Sequence, residues 1–114
     1  MKHLSSILLA LFLFTALSAC SEDPPSVRVR NDRDTKVNVQ LQPAAGSTMN
    51  INDVAAGETS AFIDVDEGVW TAKASIQSES QVPEETFQAN NDVNYTVVIV
   101  NTDPPVVEVV SEAK

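Results

Sequence analysis

The feature that most constrains this chain is period-two alternation of apolar and polar residues, repeated in short blocks with turn-forming residues between them. Val27-Arg-Val29-Arg30 alternates strictly, and Val37-Asn-Val39-Gln-Leu41-Gln42 does so again after the polar cluster Asn31 to Asp34. Successive side chains of a strand point to opposite faces, so this pattern describes strands with one buried face, here Val27, Val29, Val37, Val39 and Leu41. The simplest reading pairs the two blocks as an antiparallel hairpin. Met49 to Val54 reads as a shorter strand. Ala61 to Val65 and Val69 to Ile76 flank Asp66-Glu67-Gly68, a three-residue connection whose glycine accepts positive φ, and so predict a second hairpin. Trp70, Ala72, Ala74 and Ile76 then share one face, and the alanines leave room for Phe62, Phe87 or Tyr95 from an opposing sheet.

Gln77 to Glu85 is polar and contains Pro83, which suits an irregular crossover, with a brief strand at Thr86 to Gln88. The last unit is Tyr95 to Val100, the rigid loop Asn101-Thr-Asp-Pro-Pro105, and Val106 to Val110, a final hairpin. Helical periodicity is missing after residue 19. About seven short strands with regular turn signals predict an all-β fold, a small antiparallel β-sandwich, with a small barrel as the alternative.

The first twenty residues follow a different logic. Lys2 and His3 precede the apolar run Ile7 to Phe14, which is shorter than the roughly 20 residues that span a bilayer, and Leu17-Ser18-Ala19-Cys20 follows it. The arrangement is that of a cleaved export signal, and Leu17-Ser18-Ala19-Cys20 resembles the lipobox of bacterial lipoproteins. That resemblance implies lipidation of Cys20, cleavage before it and acylation of its new amino group. The plainer alternative is an ordinary cleavable signal followed by a chance free thiol. Stable anchoring takes more than one acyl chain, which the lipoprotein modification supplies. Ser21 stands where lipoproteins kept in the inner membrane commonly carry Asp, which implies the outer membrane, facing the periplasm. The expected organisation is a signal over residues 1–19, lipidated Cys20 and a proline-containing tether over 20–26, a sandwich over 27–111 and a tail over 112–114. Pro24-Pro25 favours an extended tether with about 3.1 Å of reach per residue.

Charge narrows the partners. The chain has 16 acidic and 7 basic residues, a net charge of −9, and every acidic residue lies after residue 19. Nucleic acid and anionic headgroups need a basic surface, so neither is an expected ligand. Candidate chemistry is sparse. The only histidine, His3, belongs to the signal and the only cysteine is the lipidation candidate. A general base near neutral pH and a thiol nucleophile are therefore missing from the domain, and no cofactor or enzymatic activity is expected. Oxygen donors remain in Asp64-Val-Asp66-Glu67 and in Asp32 with Asp34. Calcium accepts such ligands, although acidic residues in turns usually serve the turn. Glu84-Glu85 offers carboxylates without a cleft. Trp70 could stack a sugar, but its register with Ala72, Ala74 and Ile76 places it in a core.

The final hairpin is apolar on both faces: Val97, Ile99, Val107 and Val109 on one, Val98, Val100, Val106 and Val110 on the other. A two-layer sandwich has one inner face, so the second set is either covered or a candidate interaction face for an envelope protein.

Three stretches together resemble a bacterial cell-surface and lipoprotein family of β-sandwich domains of unknown function. They are Val27-Arg-Val-Arg-Asn31 with Val37-Asn-Val39, Gly57-Glu-Thr-Ser60 leading to Gly68-Val-Trp-Thr71, and Tyr95-Thr-Val-Val98. Where relatives often carry histidine after the opening strand, this chain has Asn31. The resemblance implies a sandwich without established catalytic residues. The expected function is a lipid-anchored, non-catalytic binding or assembly module, with a calcium-dependent or carbohydrate-binding domain as the alternative.

Overall fold

A computed structural model of the chain describes residues 22–114. The expected signal and Cys20 lie outside the described residues. Eight strands form two four-stranded sheets packed face to face. The strands are β1 (Ser26–Asn31), β2 (Val37–Pro43), β3 (Met49–Val54), β4 (Ile63–Asp64), β5 (Gly68–Ile76), β6 (Glu84–Ala89), β7 (Val93–Val100) and β8 (Val106–Ala113). One sheet runs β4-β1-β7-β8 and the other β3-β2-β5-β6. The fold is the expected all-β sandwich, with one parallel pair, β1 against β7, among antiparallel neighbours.

The alternating residues make the core. Val27 and Val29 of β1, Val37, Val39 and Leu41 of β2, Ala72 and Ala74 of β5, and Val97 and Ile99 of β7 are all essentially inaccessible to solvent. Each fully buried Val, Leu or Ile contributes roughly 1.5–3 kcal/mol relative to exposure, so this layer is the main source of stability. Trp70 is buried and donates its indole N–H to the Asp66 carbonyl at 2.8 Å. Tyr95, near the start of β7, accepts the Asn90 backbone N–H on its hydroxyl at 2.8 Å. The bond closes the Asn90–Asp92 turn in the manner of a tyrosine corner.

Both expected hairpins in the first two thirds of the chain are replaced by sheet crossings. β1 and β2 lie in different sheets, because β1 is occupied on both margins. On one margin β7 pairs with it from Ser26↔Asn94 to Asn31↔Ile99. On the other, β4 takes Ser26 and Val27, after which Gly57 to Ser60 continues the line: Ser60 N–H bonds the Val29 carbonyl at 2.8 Å and Asn31 N–H the Glu58 carbonyl at 2.9 Å. Gly57, at φ +74°, lets this segment turn onto β1. Likewise Asp66 to Gly68 is a corner between sheets: Val65 N–H bonds the Pro25 carbonyl at 2.9 Å, which holds β4 beside β1, while β5 belongs to the other layer. Gly68 has the expected positive φ, +141°. Phe62 departs from the expected core position. It is exposed on the outside of its sheet, with the Arg28 guanidinium 4.5 Å from the ring centroid.

The crossing after β1 is fixed by two buried polar residues. Asn31 is wholly buried; its amide donates to the carbonyls of Thr35 and Val54 at 2.7 and 3.0 Å, and its oxygen accepts the Arg33 N–H at 2.9 Å. Arg33 then donates from Nη1 to the carbonyls of Val100 and Thr102 and from Nη2 to Glu79 at 3.1 Å. Removing one partner of such a network leaves others unpaired in a dry site, which costs about 1–3 kcal/mol per group.

Two substitutions separate packing from hydrogen bonding. Leu41→Ala is expected to lower unfolding free energy by about 2–5 kcal/mol in urea titrations, through loss of buried volume. Tyr95→Phe keeps the ring and removes the bond to Asn90, for an expected loss of about 1 kcal/mol.

Candidate functional site

Four places could carry function: the amino-terminal end, the outer face of the β4-β1-β7-β8 sheet, the acidic turns, and the margin where β6 and β8 lie beside each other.

At the amino-terminal end the chain is bound sooner than the expected tether over 20–26 implies. The Asp23 N–H bonds Asp92 Oδ1 and the Asp92 N–H bonds the Asp23 carbonyl, both at 2.9 Å. Lys114 Nζ donates to the Pro24 carbonyl at 2.6 Å, and Pro25 is buried. Asp92 sits at φ +64°, in a turn whose geometry suits a short carboxylate side chain. The prolines therefore seat the segment on the end of the sandwich. Strand β8 also runs to Ala113, so the expected tail belongs largely to the sheet.

On the outer face, register brings Arg28, Thr96 and Val110 into one row, Arg30, Val98 and Glu108 into the next, and Val100 with Val106 into the third. The four valines singled out from sequence do share this face, yet they do not form one exposed stripe. Val98 is only 3% exposed and lies between Arg30 and Glu108 in its row. Val100 is half-buried, whereas Val106 and Val110 are 41% and 52% exposed with Glu108 between them. The expectation of a docking face through Val98 is corrected accordingly: what is open lies along β8.

Two carboxylates of the acidic turns have side-chain partners. Asp64 accepts the Ser26 hydroxyl at 2.9 Å, and Asp32 binds Arg30 at 3.0 Å. Among the described residues no three His, Cys, Asp or Glu side chains gather as they would around a metal ion. Glu84 and Glu85 are consecutive in a strand and so point to opposite faces; Glu84 lies 3.7 Å from Lys73. The burial of Trp70 removes it as a sugar-stacking surface.

The margin between the sheets holds a groove of about 610 Å³. It is lined by consecutive residues of both edge strands, Glu85–Gln88 and Val106–Ser111, with Tyr95 at its floor. Registers place Glu85 opposite Ala72 and Phe87 opposite Trp70, so both project toward the space between the sheets. Phe87 and Tyr95 stack at 5.3 Å between centroids. Sequence reading finds the strand Val106 to Val110 but misses this groove, because which strands become edges is decided by topology. The available signal was Glu85, a carboxylate in phase with the apolar residue Phe87.

In comparisons with known proteins, no family model matches the sequence and no curated protein matches it.

The docked amino-terminal segment gives a direct check. Asp92→Ala is expected to raise hydrogen exchange across Glu22 to Val27 by about fivefold or more, the equivalent of one lost hydrogen bond, whereas Asp92→Asn keeps an acceptor and the turn and leaves exchange near the parent level.

Proposed function

We propose that the chain is a bacterial lipoprotein whose β-sandwich serves as a non-catalytic binding or assembly module, anchored through acyl chains on Cys20 to the outer membrane and facing the periplasm. Leu17-Ser18-Ala19-Cys20 after a short apolar run supports the anchor. The observation that carries the reading is the seating of Asp23 to Pro25 on the domain, immediately after that motif. Cys20 and Asp23 are three residues apart, a reach of at most about 10 Å. A lipid on Cys20 then holds the sandwich against the bilayer, its Asn90–Asp92 end toward the lipid and its β8 margin turned to envelope proteins. The resemblance to cell-surface sandwich domains agrees with such a role.

Calcium-dependent and carbohydrate-binding readings are less well supported, given the engaged carboxylates of Asp32 and Asp64 and the buried Trp70.

Metabolic labelling with an alkyne fatty acid is expected to mark the wild-type protein and to leave Cys20→Ser unlabelled and released from the membrane fraction. Membrane retention of Cys20→Ser to the wild-type extent would refute the anchor. Calcium at millimolar concentration is expected to leave the thermal midpoint unchanged; a rise reversed by chelator would revive the calcium reading.

A further inference from the structure

We infer that the margin of β8 is a strand-addition site for an extended peptide segment of another protein, carrying a basic residue on the side that faces the groove. The inference rests on the binding-module reading above and assigns it a place and a partner chemistry.

The sandwich has four edge strands, β4, β8, β3 and β6. Exposed edges invite pairing with other chains, and natural sheets blunt the ones they do not use. Strand β4 has two residues. Strand β3 is interrupted by a register shift opposite Val37 to Val39, with Asp53 at φ +59°. Strand β6 is preceded by Pro83 and begins with Glu84 and Glu85. Strand β8 has eight residues in continuous register, from Val106 to Ala113, with neither proline nor bulge. Among the described residues it pairs with β7 alone.

The phase of the ladder identifies the free groups. The Lys114 N–H bonds the Asp92 carbonyl at 3.0 Å, and that pair continues the register Val93↔Ala113. Hydrogen-bonded pairs alternate in an antiparallel ladder, so Glu112, Val110, Glu108 and Val106 bond to β7, while Val107, Val109, Ser111 and Ala113 direct their N–H and C=O groups outward. Among the described residues these four have no main-chain partner, and an incoming strand would find them free.

The groove selects its side chains. Its floor is Phe87 and Tyr95 with Val107 and Val109, which suits β-branched residues. Over that floor projects Glu85, which has no ion-pair partner among the described residues, and no cation lines the groove. Lysine or arginine at one inward position of the added strand would meet Glu85 and the Phe87 ring together. Main-chain bonds supply the affinity, and the alternate pockets supply the selection.

The test uses the purified, lipidated full chain in detergent and a capped heptapeptide of threonine alternating with valine, with lysine replacing the central valine. The expected result is saturable binding by fluorescence anisotropy, weakened about tenfold or more when the peptide lysine becomes glutamate or when Glu85→Gln is introduced. Methylating alternate backbone nitrogens of the peptide, on the residues that face β8, is expected to abolish binding without touching the protein. No saturable binding, equal binding of the lysine and glutamate peptides, or undiminished binding of the methylated peptide would overturn the inference. So would sedimentation as a dimer that dissociates on Val109→Pro, which would make a second copy the occupant. Mass spectrometry of the amino-terminal fragment reads the anchor separately: unmodified Cys20 with intact peptide binding refutes the lipoprotein reading and leaves the strand-addition site standing.

Discussion

Strand β1 is the constraint on which the rest depends. It is hydrogen-bonded along both margins, by β7 on one side and by β4 with Gly57 to Ser60 on the other, and its inner residues Val27, Val29 and Asn31 are fully buried. A strand enclosed in this way cannot fold onto its sequence neighbour, so the chain after Asn31 has to change sheets. Asn31 and Arg33 supply the polar bonds that make the change possible without stranding main-chain groups in the interior. The parallel pairing with β7 also joins the start of the domain to its last third, which makes formation of the core depend on long-range closure.

The same enclosure has a mechanical consequence. The chain enters β1 through Pro25, and Asp23 is clasped to Asp92 in the turn that leads into β7. A tension applied at the amino terminus passes directly into the two central strands of one sheet. That is where load is best resisted, since a central strand must break two ladders to leave while an edge strand breaks one.

What the sequence revealed, and where it fell silent, follows from locality. Alternation in Val27–Arg30, Val37–Gln42 and Trp70–Ile76 identified strands and their buried faces correctly, because side-chain direction along a strand depends only on sequence spacing. The same alternation could not say that β1 pairs with β7 or that Asp66–Gly68 turns a corner, since pairing partners are chosen by the whole set of strands. Phe62 shows the limit at one residue: an aromatic expected to fill the space beside Ala72 and Ala74 lies outside, covered in part by Arg28. The open margin of β8 was hidden for the same reason. The valines of the last hairpin suggested a face, and the structure exchanges that face for an edge, with Val98 enclosed and Val106 and Val110 on the outer flank of the free strand.

The sandwich is hydrogen-bonded throughout β1 and open along β8. Residue-resolved amide exchange of the full chain in detergent reads both properties at once. Slow exchange is expected at Val27 and Val29, with a two-residue alternation along β8: Val106, Glu108 and Val110 slow and Val107, Val109 and Ser111 fast. Uniform protection along Val106 to Ser111 would contradict it, because every amide of that strand would then already have a partner.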